Sequence, residues 1–207
     1  MMDPRTSELE SLNAFMFQFC KTLDPLDQAQ PVKLMPDRAY LRDLNRIAIH
    51  ERLIAVPKSR QIAATWWGTG FYSWDCIRHP ERFTIFKSID KQHSGLANKL
   101  ALLWRAHFII EQLPSCVRPG VKPWKRDNIL EFKDNGSHIQ AMSMEGEASR
   151  AFTATGVLDD ELAVQQYGES GFAAILPTLG EIGRYIALFT YMGLNFAYRL
   201  AHDKMEI

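Results

Sequence analysis

The sequence carries no surplus of either charge, no long apolar run and no pairing pattern among its cysteines. Lysine plus arginine and aspartate plus glutamate each number 24, so the net charge is zero. No global basic field exists to hold a nucleic acid, and any such contact must be local. No apolar stretch approaches the roughly 20 residues that span a bilayer. The start, MMDPRTSELE, is acidic and polar, unlike a secretory signal. Cys20, Cys76 and Cys116 are odd in number and scattered, which argues against a disulfide framework or a cysteine zinc site and fits a reducing cytosol. The histidines at 50, 79, 93, 107, 138 and 202 lack metal-ligand spacing. What is present is an ordinary globular balance, 46% hydrophobic and 23% charged over 207 residues, enough for one sizeable core with a small attached segment. The expectation is a soluble, intracellular protein with no membrane partner.

Residues 1–37 read as an N-terminal appendage. An amphipathic stretch with Leu12, Phe15, Phe19 and Leu23 is followed by a loop, LDPLDQAQPVKLMP, whose prolines break any long helix. Residues 38–207 read as the core. DRAYLRDLNRIAIHE places Leu41, Leu44 and Ile47 at helical spacing, with Asp37 positioned to cap that helix. Strand and helix patterns then alternate, which predicts an α/β fold with a mainly parallel central sheet flanked by helices. The expected strands are LIAV (53–56), FTIF (83–86), ILEF (129–132), HIQAM (138–142), TGVLD (155–159) and YIALF (185–189). Helices are expected over about 63–77 and about 91–112, closed by Pro80 and Pro114. Asn135-Gly136 between two short apolar runs predicts a short antiparallel hairpin. Trp66, Trp67, Phe71 and Trp74 form a stripe that suits core packing better than base stacking.

LIAVPKSRQIAATWW reads as a buried strand, a short polar turn and a helix, the geometry in which backbone N–H groups wrap an anionic phosphate. The usual GxxxxGK(S/T) pattern fails, because Ala63 and Ala64 stand where glycine and lysine belong. Thr65 nevertheless offers a hydroxyl at the helix start, where a Mg2+ ligand is needed, and Lys58 and Arg60 supply cations at the other end of the loop. A lysine on the near side could reach back to the β- and γ-phosphates. A basic strand-helix turn with no ligand fits the same residues.

TGVLDDELA ends a strand in three acids, Asp159, Asp160 and Glu161, which alternation prevents from serving one site together. A nucleotide-hydrolysing motor needs one carboxylate near the metal and another to polarise water. A solvated loop or a helix cap is the alternative. YIALFTYMGLNFAYRL reads as a strand, a turn at Gly193 and a helix start.

Taken together in order and spacing, these segments resemble the ATPase domain of phage terminase large subunits. KSRQ followed by three small or apolar residues, Thr and Trp is similar to that family's deviant Walker A, and DELA to its hydrophobic-DE-x-A Walker B. The resemblance implies a P-loop NTPase of the ASCE type. It assigns nucleotide binding to Lys58, Ser59, Arg60, Gln61 and Thr65, the metal to Thr65 and Asp160, and the catalytic base to Glu161. Asp159 is then an extra acid where the family usually has an apolar residue, and Ala63 replaces a glycine that many members keep. Arg150, eleven positions before Glu161, matches the arginine of an R-G-x-T motif that acts on a neighbouring subunit's ATP, with Ala151 in place of the glycine. Thr190, Gly193 and Asn195 match the family's coupling motif.

The resemblance also implies ATP and Mg2+ as cofactors. Implied partners are double-stranded DNA, a portal protein, a small terminase subunit and a homo-oligomeric ring, in the host cytoplasm and transiently at the capsid portal. The family's C-terminal nuclease is expected to be absent, since the sequence ends at Ile207. A helicase-like ATPase and a degenerate assembly or binding module are the competing readings.

Overall fold

The computed structural model describes residues 4–59, 62–124, 126, 128–142 and 153–202. Seven strands form the central sheet: β3 (Leu53–Pro57), β4 (Phe83–Lys87), β5 (Val121–Trp124), β6 (Ile129–Phe132), β7 (His138–Ala141), β8 (Gly156–Asp160) and β9 (Arg184–Phe189). Their order is β3-β9-β8-β4-β7-β6-β5. The run from β3 to β7 is parallel, and β7, β6 and β5 continue it as an antiparallel meander at one edge. The Asn135-Gly136 hairpin therefore forms, with Gly136 at φ 75°.

Parallel strands are covered on both faces and so read as continuous apolar runs. All five residues of β8 are buried. Alternation along β9 sends Ile186 and Leu188 to one core and Tyr185, Ala187 and Phe189 to the other. The first core is filled by α3 (Ala64–Arg78) and α5 (Leu102–Glu111), with Trp67, Phe71 and Tyr72 fully buried. Trp66 and Trp74 join them, so the aromatic stripe packs as expected. The second core lies beneath α6 (Gly168–Ile175) and α7 (Phe196–His202).

Several local expectations change. The helix expected over 91–112 is two helices, α4 (Lys91–Ser94) and α5, separated by a loop in which Leu100 takes φ 73°. Leu96 in that loop is buried, its N–H donating to Asn128 Oδ1 at 3.1 Å, so a contact from the meander outweighs helix propensity. α2 (Ala39–His50) is not capped by Asp37; that carboxylate instead pairs with Arg42, Oδ1 to Nε at 2.6 Å. The buried stripe of α2 is Leu41, Asn45 and Ala48, and Ile47 stays on the exposed rim. Six residues of helix carry Ile47 well round from Leu41, whereas Asn45, at the four-residue step, accepts the indole N–H of Trp67 at 2.8 Å.

Three strands were not anticipated. β1 (Lys21–Leu23) and β2 (Val32–Leu34) pair antiparallel within the segment read as a loop. β5 contains Pro123, tolerated because the strand lies at the sheet edge. Leu12, Met16 and Cys20, from α1 (Pro4–Ala14) and the turn after it, are fully buried in the first core.

Candidate nucleotide site

The parallel strands end on the side where open α/β sheets hold ligands. Lys58 follows β3 directly, and its backbone N–H donates to Phe189 O at the end of β9, at 2.8 Å. Thr65 lies in the first turn of α3, which crosses β8 closely at Gly68. A Cβ there would meet Leu158 Cδ1 at 2.7 Å, so a glycine lets the helix approach the strand. That approach brings Thr65 Oγ1 to Asp160 Oδ2, to which it donates at 3.0 Å. Lys58 Nζ reaches Glu161 Oε1 at 2.9 Å and Asp160 Oδ1 at 3.3 Å. Lys58, Thr65, Asp160 and Glu161, up to 103 positions apart, thus meet at one point.

Burial pushes the Asp160 carboxyl above its ordinary range. The Lys58 charge opposes that rise, the neighbouring Glu161 adds to it, and the Thr65 hydrogen bond again opposes it. Glu161 sits in the left-handed region at φ 59°, and its N–H donates back to Asp160 Oδ1 at 3.0 Å. Among the described residues no group of three His, Cys, Asp or Glu side chains could hold a metal. Mg2+ commonly keeps several waters and takes its other ligands from one or two carboxylates and a nucleotide's phosphates.

Two cavities flank this point. One, of about 620 Å³, runs between the β3–α3 connection and the β1–β2 sheet and is lined by Lys58, Ser59, Ala63 and Thr65 together with Leu23 and Lys33. The other, of about 530 Å³, is lined by Thr65, Asp160, Glu161, Ser88, Gln92 and Arg105, among others. Arg60, Gln61 and Arg150 lie outside the described residues. Asn195 caps α7, accepting the Tyr198 N–H at 3.2 Å, and donates to Ala163 O at 2.8 Å. It thereby ties that helix to the turn that follows Glu161. Thr190 follows β9 and Gly193 takes φ 66°, and neither lines either cavity.

Asp159, the acid without an assigned role, is fully buried and faces the other core. It accepts from Lys87 Nζ at 3.0 Å, Tyr185 Oη at 2.6 Å and Gln165 Nε2 at 2.5 Å. Burial, then the Asp159 charge, raises the Tyr185 phenol well above its usual range. Lys87 and Asp159 are direct partners in the β4–β8 register. Lysine closing one apolar strand and aspartate closing another was the only sequence signal for this pair. Gln165 also donates to Asp160 O at 2.9 Å, so this buried network braces the backbone that carries Asp160.

No family model matches the chain, and no curated protein does. Solved structures do. The ATPase domain of the Thermus phage P74-26 large terminase, in a mutant form, superposes with a TM-score of 0.66 at 16% identity, covering 79% of this chain and 69% of that one. The large terminase of bacteriophage HK97 gives 0.70 at 14% identity, over 91% of this chain and 39% of that one. The large terminase of a thermophilic bacteriophage gives 0.56 at 13% identity, with the same shares covered. The chain has the fold of the phage large terminase ATPase domains. It spans well under half the length of the latter two terminases.

Within this terminase-type fold, Ala63 is strained. Ala63 precedes α3 at φ 57°, ψ 11°, a left-handed conformation that costs an L-residue about 1–2 kcal/mol. Ala63→Gly removes that strain and adds a smaller unfolded-state entropy term. Urea unfolding should show a gain of roughly 0.5–1 kcal/mol; a loss would mean that the Ala63 methyl group contributes more through packing than its backbone costs.

Proposed function

We propose that the chain is the ATP-hydrolysing motor domain of a terminase large subunit, carried by residues 38–207. In this reading a ring of subunits works with a portal protein and a small terminase subunit in the host cytoplasm, and drives double-stranded DNA into a capsid. The observation that carries the reading is the meeting of Lys58 with Glu161 and of Thr65 with Asp160, each within 3.0 Å, at the C-terminal ends of β3 and β8.

The donor set suits Mg2+ held jointly with ATP: one hydroxyl and one buried carboxylate, both hard oxygen ligands, from Thr65 and Asp160. When bound, the ion would neutralise charge on the phosphates. Lys58 supplies the positive charge that the missing P-loop lysine would give. Its ammonium is now shared between Asp160 and Glu161, and a nucleotide's phosphates would compete for it. Glu161, about one-third exposed at the cavity wall, accepts a proton from the attacking water as the γ-phosphoryl group passes to that water and ADP leaves. Ser59, Arg60 and Gln61 would complete the phosphate loop, and Arg150 would act on the neighbouring subunit's ATP. Asn195, bonded to the turn after Glu161, supports a coupling role for the Thr190–Asn195 segment.

Calorimetric titration with MgATP tests the reading. The parent chain should bind, and Lys58→Ala should weaken binding by roughly 10- to 100-fold, the loss of a charge-assisted contact. A parent chain that binds no nucleotide would leave the assembly or binding module as the better reading.

A further inference from the structure

α5 carries one cation on a largely apolar helix, LLWRAHFIIE. Arg105 is partly buried there, its guanidinium stacked 4.9 Å from the centre of the Trp66 ring and its Nε donating to Leu100 O at 2.5 Å. Leu100, at φ 73°, is the residue that turns the chain into α5 and presents that carbonyl. Burial lowers the Arg105 pKa, and the charge acting against this comes from Asp160. Among the described residues, the two cavities share only Thr65, which carries the candidate metal-side hydroxyl, and Arg105.

Lys58 and Arg105 differ in their partners. Lys58 is paired with both carboxylates, whereas no carboxylate among the described residues forms an ion pair with Arg105. Among the same residues, the terminal guanidinium nitrogens have no hydrogen-bond partner. Those nitrogens stay open to the cavities that Arg105 lines, and the planar fork they form matches phosphate oxygens. Two fixed contacts already orient it, so little rotamer freedom remains to be lost when an anion binds.

We propose that Arg105 binds the terminal phosphate of the nucleotide held by its own chain, and so makes the site prefer a triphosphate over a diphosphate. The position favours the terminal phosphate because the cavity that Arg105 lines also holds Asp160 and Glu161, where the attacking water would be activated. This rests on the nucleotide-binding reading above. It differs from the Arg150 assignment in requiring no neighbouring subunit.

The test compares binding of MgADP and of a slowly hydrolysed MgATP analogue to the parent chain, Arg105→Met and Arg105→Lys. Methionine keeps an unbranched stem against Trp66 without the charge. Lysine keeps the charge without the fork. The expected result is a loss of roughly 10- to 100-fold for the analogue in Arg105→Met, with MgADP binding within about threefold of the parent, and partial recovery in Arg105→Lys. Equal loss for both ligands in the two variants would show that Arg105 only packs the site, and unchanged affinities would show that it faces no phosphate; either overturns the proposal. If the parent binds neither ligand, the nucleotide reading itself falls and takes this one with it. If the parent binds both and Arg105→Met alters neither, only this proposal falls.

Discussion

Glu161→Gln should bind MgATP about as tightly as the parent chain and lose turnover by roughly two to four orders of magnitude, the usual contribution of a positioned general base. The substitution keeps the shape and the contact with Lys58, since an amide oxygen can still accept from Nζ. It removes the group able to take a proton. It also removes one of two negative charges clustered around Lys58, which frees that ammonium for phosphate, so affinity should hold or rise. Phosphate release measured under single-turnover conditions separates the two effects. Turnover within about threefold of the parent would mean that the water is activated by another residue.

The largest effect on stability is expected away from the candidate chemistry, at Lys87 and Asp159. Both are almost fully excluded from water, and each is the other's charge partner. Lys87→Met leaves the Asp159 carboxylate buried with only the Tyr185 hydroxyl and the Gln165 amide, and should cost about 3–5 kcal/mol in urea unfolding. Adding Asp159→Asn removes the stranded charge while retaining an acceptor for Tyr185, and should recover at least half of that loss. A single variant costing less than about 1 kcal/mol would show that the pair contributes little against its own desolvation.

Much of the sheet is legible along the chain because its signals are local. Apolar runs such as LIAV, FTIF and YIALF, each bounded by polar or turn residues, mark β3, β4 and β9 without reference to anything distant. Asn135-Gly136 marks its hairpin for the same reason. β1, β2 and β5 are hidden because short, half-exposed edge strands with proline nearby carry almost no periodic signal, and pairing alone makes them strands. The break between α4 and α5 is hidden for a related reason: Leu96 leaves the helix to meet Asn128, which lies 32 positions away.

The candidate site divides the same way. The sequence by itself determined the residue types, a lysine and a threonine around a strand-helix turn and acids at the end of a later strand, because strand ends and helix starts are set by local pattern. It also determined that neighbouring acids must face opposite ways, because alternation along a strand has a period of two. Only the tertiary structure decided that Asp160 turns toward Thr65 while Asp159 turns to Lys87 and Tyr185, and that Arg105 faces the same cavity from α5. Those choices depend on β8 lying between β9 and β4 and on α3 crossing it at Gly68. Such contacts join residues tens to more than a hundred positions apart, and they arise from which core each strand face must bury rather than from any residue's immediate neighbours.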